Sequence, residues 1–154
     1  MKKAFIVACG FVLACASSAQ GPGVSHWTSA QLAGIGKTLG QKAGVSKSAS
    51  QPLVDLGTHL IQLSYREASG EAEVHEHVTD VFVVQSGEAT LLVGGRMVDG
   101  KMTAAGELRG PSIADAQLKE LGAGDVVHIP AGTPHQLLIK DGKKYTCLVV
   151  KIRS

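Results

Sequence analysis

Gly124-Asp125-Val126-Val127-His128-Ile129-Pro130-Ala131-Gly132-Thr133-Pro134-His135 is the stretch whose reading decides the architecture. A short aliphatic strand is halted at Pro130, which fixes the backbone. Gly132 permits a tight turn, and His135 is delivered at the start of the next strand. Upstream, His75-Glu76-His77 is followed by Asp80. Side chains alternate across a strand, so two histidines at i and i+2 face the same way, and a third can arrive from a strand that pairs nearby. His75, His77 and His135 therefore form a candidate mononuclear metal site.

From about Leu53 onward the chain consists of short apolar runs broken by Gly, Pro and Asp, which is the pattern of antiparallel strands. Strands are expected at 59–67, 73–77, 81–85, 89–93, 117–121, 125–129, 136–140 and 145–152. So many short, closely spaced strands argue for an all-β barrel or jelly roll. Its lining would come from Phe82, Val84, Leu91, Val93, Leu137 and Ile139. Residues 94–116 interrupt the rhythm with glycines, Arg96, Glu107 and Arg109, and read as a long excursion at one barrel end. Ahead of the barrel, Thr28 or Ser29 can cap a short helix in which Leu32, Ile35 and Leu39 recur at helical spacing, weakened by Gly34, Gly36 and Gly40. Residues 46–51 read as a polar linker. The expected division is a leader at 1–19, an N-terminal arm at 20–52 and one barrel domain at 53–154.

The stretches from Gly70 to Gly87 and from Gly124 to Ile139 together resemble the two signature motifs of the cupin superfamily, and the likeness covers most of the chain after about residue 55. The second motif is the fuller match: Gly124, five residues, Pro130, one residue, Gly132, two residues, His135. Its usual final asparagine is Ile139 here. In the first motif the usual glutamate is replaced by Asp80, three positions after His77, with six residues then leading to Gly87. The resemblance implies a cupin-type jelly roll and assigns Asp80 as the carboxylate ligand beside His75, His77 and His135. It also implies a single divalent transition metal, one of Mn, Fe, Zn, Ni or Cu.

Other titratable residues have competing readings. Glu76, His128 and Glu107 are candidates for a catalytic acid or base if they turn inward. Glu107 and Arg109 can clamp a polar ligand at the barrel mouth or form a surface salt bridge. Glu67, Glu71 and Glu73 read as a solvated strand end, and His26 and His59 as ordinary histidines.

Lys2 and Lys3, the apolar run 4–16 and Ser17-Ser18-Ala19 have the form of an export signal, so a periplasmic or secreted protein is expected. Val12-Leu13-Ala14 before Cys15 also resembles a lipoprotein box, leaving a lipid anchor open. Without Lys2 and Lys3, basic and acidic residues balance at thirteen each. With only six aromatic residues (three Phe, two Tyr, one Trp) and no basic stripe, nucleic-acid binding has no support. Cys9 and Cys15 lie in the leader, and Cys147, inside an apolar run, reads as a buried strand cysteine. No segment is long enough to span a bilayer. The run 145–152 reads as an edge strand through which a homodimer would form. The resemblance makes two functional classes live: a metal-dependent enzyme on a small organic molecule, of dioxygenase, isomerase or lyase type, and a non-catalytic small-molecule-binding barrel. A structural metal that closes the barrel is a third possibility.

Overall fold

A computed structural model describes residues 23–154, so the expectations for the leader, Cys9 and the Cys15 anchor lie outside the described residues. Among the described residues one α-helix, α1 (Ser29–Lys42), and a single 3-10 turn at Gly44–Ser46 precede the strands. Thr28 caps α1, with its side chain accepting from the Gln31 N–H while the Gln31 side chain reaches back to the Thr28 N–H. The strands are β1 (Ser48–Leu56), β2 (His59–Arg66), β3 (Ala72–His75), β4 (Val78–Gly87), β5 (Ala89–Val93), β6 (Arg96–Val98) and β7 (Lys101–Ala104). They continue with β8 (Glu107–Gly110), β9 (Ser112–Ala114), β10 (Gln117–Leu121), β11 (Val126–Ile129), β12 (His135–Leu138) and β13 (Tyr145–Arg153).

Two large sheets face each other, one ordered β1-β2-β13-β4-β11 and the other β10-β5-β12-β3-β8-β7, with β6 and β9 forming a small third sheet. All pairings are antiparallel. The fold is the expected all-β jelly roll. Between the sheets lies a core of Phe82, Val84, Leu91, Leu121, Ile129, Ile139, Tyr145, Cys147 and Val149, with Val93 and Leu137 packed against it. Each large aliphatic side chain fully buried there contributes roughly 1.5–3 kcal/mol. Burial also pushes the Cys147 thiol up to about 11, as a buried strand cysteine requires.

A second cluster lies on the outer face of the first sheet, where Leu39 and Ala43, in and just after α1, meet Leu63 and Tyr65, joined by Leu32, Ile35 and Leu148. The helix glycines have a packing reason. A Cβ at Gly40 would sit 3.1 Å from the Tyr65 ring, and one at Gly36 would sit 3.3 Å from the Thr146 methyl group. Small residues there let the helix backbone lie close on the sheet.

Four expectations need correction. Residues 48–51, read as linker, belong to β1, which pairs with β2 along nearly its whole length. The excursion at 94–116 is organised into four short strands, of which β8 pairs with β3. The run 145–152 is central, because β13 is flanked by β2 and β4. Its unbroken apolar character follows from burial on both faces, Cys147 toward the core and Leu148 toward the helix. Finally, the strand expected at 73–77 stops at His75, and residues 76 and 77 form the turn into β4.

Candidate metal centre

The end of that strand decides which side chains meet. On β3, Glu73 and His75 share the inward face, and the register sets Glu73 opposite His135 of β12 and Arg109 of β8, with His75 opposite Glu107. On the facing sheet, Asp80 of β4 lies directly across from Lys151 of β13. Three of these residues, Glu73, His75 and His135, each offer a ligand atom within 4.8 Å of one another. Asp80 joins them from the opposite wall, its Oδ2 lying 3.5 Å from His75 Nε2 and 3.6 Å from His135 Nε2. His75, Asp80 and His135 are buried, with Asp80 only 1% exposed.

The turn ahead of His135 is built as its residues dictate. Gly132 takes φ 77°, a conformation open to glycine, and its N–H donates to the His75 carbonyl, tying the two histidine-bearing segments together. The Thr133 N–H closes the turn onto Pro130.

Hydrogen bonds set the tautomer of each imidazole. His75 Nδ1 lies 2.6 Å from Glu107 Oε2, and a carboxylate only accepts, so Nδ1 carries the proton. His135 Nδ1 likewise donates to the Thr133 carbonyl at 3.0 Å. Both Nε2 lone pairs then point at the centre. That of His75 accepts from Lys151 Nζ at 2.9 Å. That of His135 is buried with no hydrogen-bond partner, although Glu73 Oε1 stands 3.3 Å away. A lone pair facing carboxylate oxygens is repulsive unless a cation lies between them. Two imidazoles oriented through Nδ1, with carboxylates beside them, are the arrangement a metal uses. The residues present fit a divalent ion.

Charge around the centre is balanced from the rim. Arg109 pairs with Glu73 and reaches Glu107 at 3.8 Å. Burial pushes the Glu73 carboxyl up, but with the imidazoles of the metal-free site carrying a second proton His135 first, then Arg109 and His75, outweigh it and bring it down to about 2. Lys151 contacts both oxygens of Asp80 at 2.9 Å.

Of the residues singled out in the sequence, His75, His135 and Asp80 converge, and Glu107 takes part by orienting His75. His77 does not join them. It is exposed on the turn, where the chain reverses and strand alternation no longer holds, and its carbonyl accepts from Ser154. Glu76 is part of the same turn, its N–H donating to the Gly106 carbonyl. His128 faces outward, opposite in parity to the inward Val127 and Ile129. Glu73 and Lys151 are the residues that sequence reasoning missed. Glu73-Val74-His75 has the same i, i+2 spacing as His75 and His77, and Lys151 continues the inward series Tyr145, Cys147, Val149. A cleft of about 850 Å³ beside α1 and another of about 430 Å³ near Glu88 and Lys143 do not include the metal-site residues.

No protein-family model matches the chain, and no curated protein matches it. Solved structures do. A protein of Thermus thermophilus, TT1209, superposes with a TM-score of 0.56 at 21% identity over 76% of this chain and 92% of that one. A conserved protein of Klebsiella pneumoniae with a double-stranded β-helix domain gives 0.53 at 15% identity, over 71% and 80%. A DMSP lyase of Ruegeria pomeroyi gives 0.51 at 20% identity over 71% of this chain but 48% of its own, so the chain spans about half that enzyme's length. Likeness at this level is a likeness of fold, and the chain has the fold of a double-stranded β-helix.

Proposed function

We propose that the barrel binds one divalent transition metal through Glu73, His75 and His135, with Asp80 as a fourth donor, and that it acts as a metal-dependent enzyme on a small organic molecule. The observation that carries this reading is the buried, unpartnered Nε2 of His135, aimed together with its His75 counterpart at two carboxylates. Two imidazoles with carboxylate oxygens are a donor set shared by mononuclear non-haem iron sites and catalytic zinc sites. The chemistry such a metal supplies is Lewis-acid polarisation of an oxygen-bearing substrate, or redox chemistry with dioxygen. The chain's own residues prepare for it. Glu107 and the Thr133 carbonyl hold the two rings, and Arg109 holds Glu73. The DMSP lyase is an enzyme with this fold, which supports the lyase type among the dioxygenase, isomerase and lyase activities considered.

One observation favours a second reading. Lys151 already satisfies Asp80 and His75, as expected in a metal-free barrel that only binds a small ligand. Elemental analysis of the untagged protein separates the two. Near one equivalent of metal, lost in Glu73→Ala and His135→Ala but kept in His77→Ala, supports the metal centre; no metal, and none taken up on titration, leaves the binding barrel.

Export through residues 1–19 and assembly as a homodimer belong to the same proposal. The leader composition supports the first. The second is supported by the exposed Leu118 and Val126 on β10 and β11, which are edge strands.

A further inference from the structure

Lys151 stands where a metal would bind, and this bears on how the proposed metal centre is loaded. The inner face of β13 presents Tyr145, Cys147 and Val149 to the core and then Lys151 to the site. Its ammonium lies 2.9 Å from His75 Nε2 and 2.9 Å from each oxygen of Asp80. An imidazole nitrogen has one in-plane lone pair, and with Nδ1 protonated toward Glu107 the only one His75 can offer is on Nε2. A metal at its usual distance of about 2.0–2.1 Å along that lone pair cannot coexist with an ammonium hydrogen-bonded to it. The two cations would also repel one another across a poorly solvated site.

The other cation at the site cannot take this role. Arg109 is engaged by Glu73 and Glu107, and among the described residues Lys151 is the one Lys or Arg paired with Asp80. Lys151 also has a way out. Its side chain is 22% exposed and its four-carbon stem is flexible, whereas Asp80 is 1% exposed and fixed in the wall.

We propose that Lys151 is an internal cation that holds the centre in the metal-free protein and is displaced toward solvent by the incoming metal. Loading is then an exchange of one cation for another. The lysine stabilises the empty barrel by neutralising Asp80, and it lowers metal affinity by the work of its displacement. A site of this kind resists weakly bound divalent ions and fills only with those that hold the imidazoles tightly. The inference rests on the metal centre proposed above.

The test is zinc titration of the full chain against a chelating dye, comparing the wild type with Lys151→Met, which keeps the length of the side chain and removes the charge. The expected result is zinc binding roughly ten- to hundred-fold tighter in the variant, the usual range for a coupling of this kind. The metal-free variant should also melt below the metal-free wild type, with zinc narrowing the gap. A second measurement needs no variant: in the wild type, reductive methylation read by mass spectrometry should label Lys151 slowly without zinc and faster with it. Equal or weaker zinc binding by the variant, or Lys151 labelling that zinc does not change, overturns the exchange while leaving the metal centre standing. Absence of zinc binding by both proteins overturns the exchange and the metal centre together.

Discussion

Along β4 and β13 the inner face changes character within one step of the alternation. Val84 opposes Cys147 and Phe82 opposes Val149, and then Asp80 opposes Lys151. The first two pairs lie in the apolar core, and the third lies among Glu73, His75 and His135. One pair of strands thus carries two environments governed by different rules. Apolar burial is additive and tolerant, since each side chain contributes by leaving water. Buried charge is conditional: a carboxylate or ammonium in the wall is tolerated only while its partner is present, and removing one partner costs more than the pair contributes. The apolar end can therefore hold the fold while the charged end is arranged for binding.

The largest expected effect tests that conditionality. Lys151→Met should destabilise the metal-free protein by about 3–5 kcal/mol, because it strands Asp80 without a counter-charge, and metal should restore much of the loss. Urea denaturation with and without zinc reads both, and a loss that metal does not relieve would mean that the two ends are not energetically separate. At the apolar end, Leu91→Ala should cost about 2–5 kcal/mol through transfer and cavity terms. Leu91 is fully buried. Metal stoichiometry of the folded fraction should stay as in the wild type, and a parallel fall would show that the core shapes the site directly.

Acid should act on the charged end. The Glu73 carboxyl is held at about 2, below its ordinary value of 4.5. A depressed folded value means that its stabilisation is complete above the unfolded value and is lost as pH falls from about 4.5 toward about 2. Over that window the metal-free wild type should lose on the order of 3 kcal/mol more than Glu73→Gln, read as the difference between their stability curves. Curves that stay parallel would show that Glu73 is not held by His135 and Arg109. The smallest effect is expected from Glu107→Ala, which frees the His75 ring. Metal affinity should fall roughly 10- to 100-fold while the melting temperature of the metal-free protein barely moves.

The site is partly legible before any fold is known. His135 can be read because a local device presents it, the Pro130 to Gly132 turn between two aliphatic strands, and such a device depends on neighbours in sequence. The lining at Phe82, Val84, Leu91 and Ile139 can be read for the same reason, since alternation is local. The strands expected at 89–93 and 117–121 have those boundaries in the structure. His77 is misread because alternation extends past a strand end that no Gly or Pro marks. Glu73 reads as a solvated acid because its partners, His135 and Arg109, come from β12 and β8 and are far away in sequence.

By itself, then, the sequence determined an all-β jelly roll, the apolar inner face and two of the imidazoles, since each follows from turn chemistry and the two-residue period of a strand. Tertiary structure alone decided that Glu73 rather than His77 lies beside His75 and His135, that Glu107 meets His75 Nδ1, and that Lys151 reaches Asp80 and His75. Those contacts join residues from 32 to 76 positions apart, and only the pairing and packing of strands brings them within a few ångströms. The physical reason is that a charged residue's role depends on which opposite charge or lone pair it meets when water is excluded, and that meeting is set by register across strands.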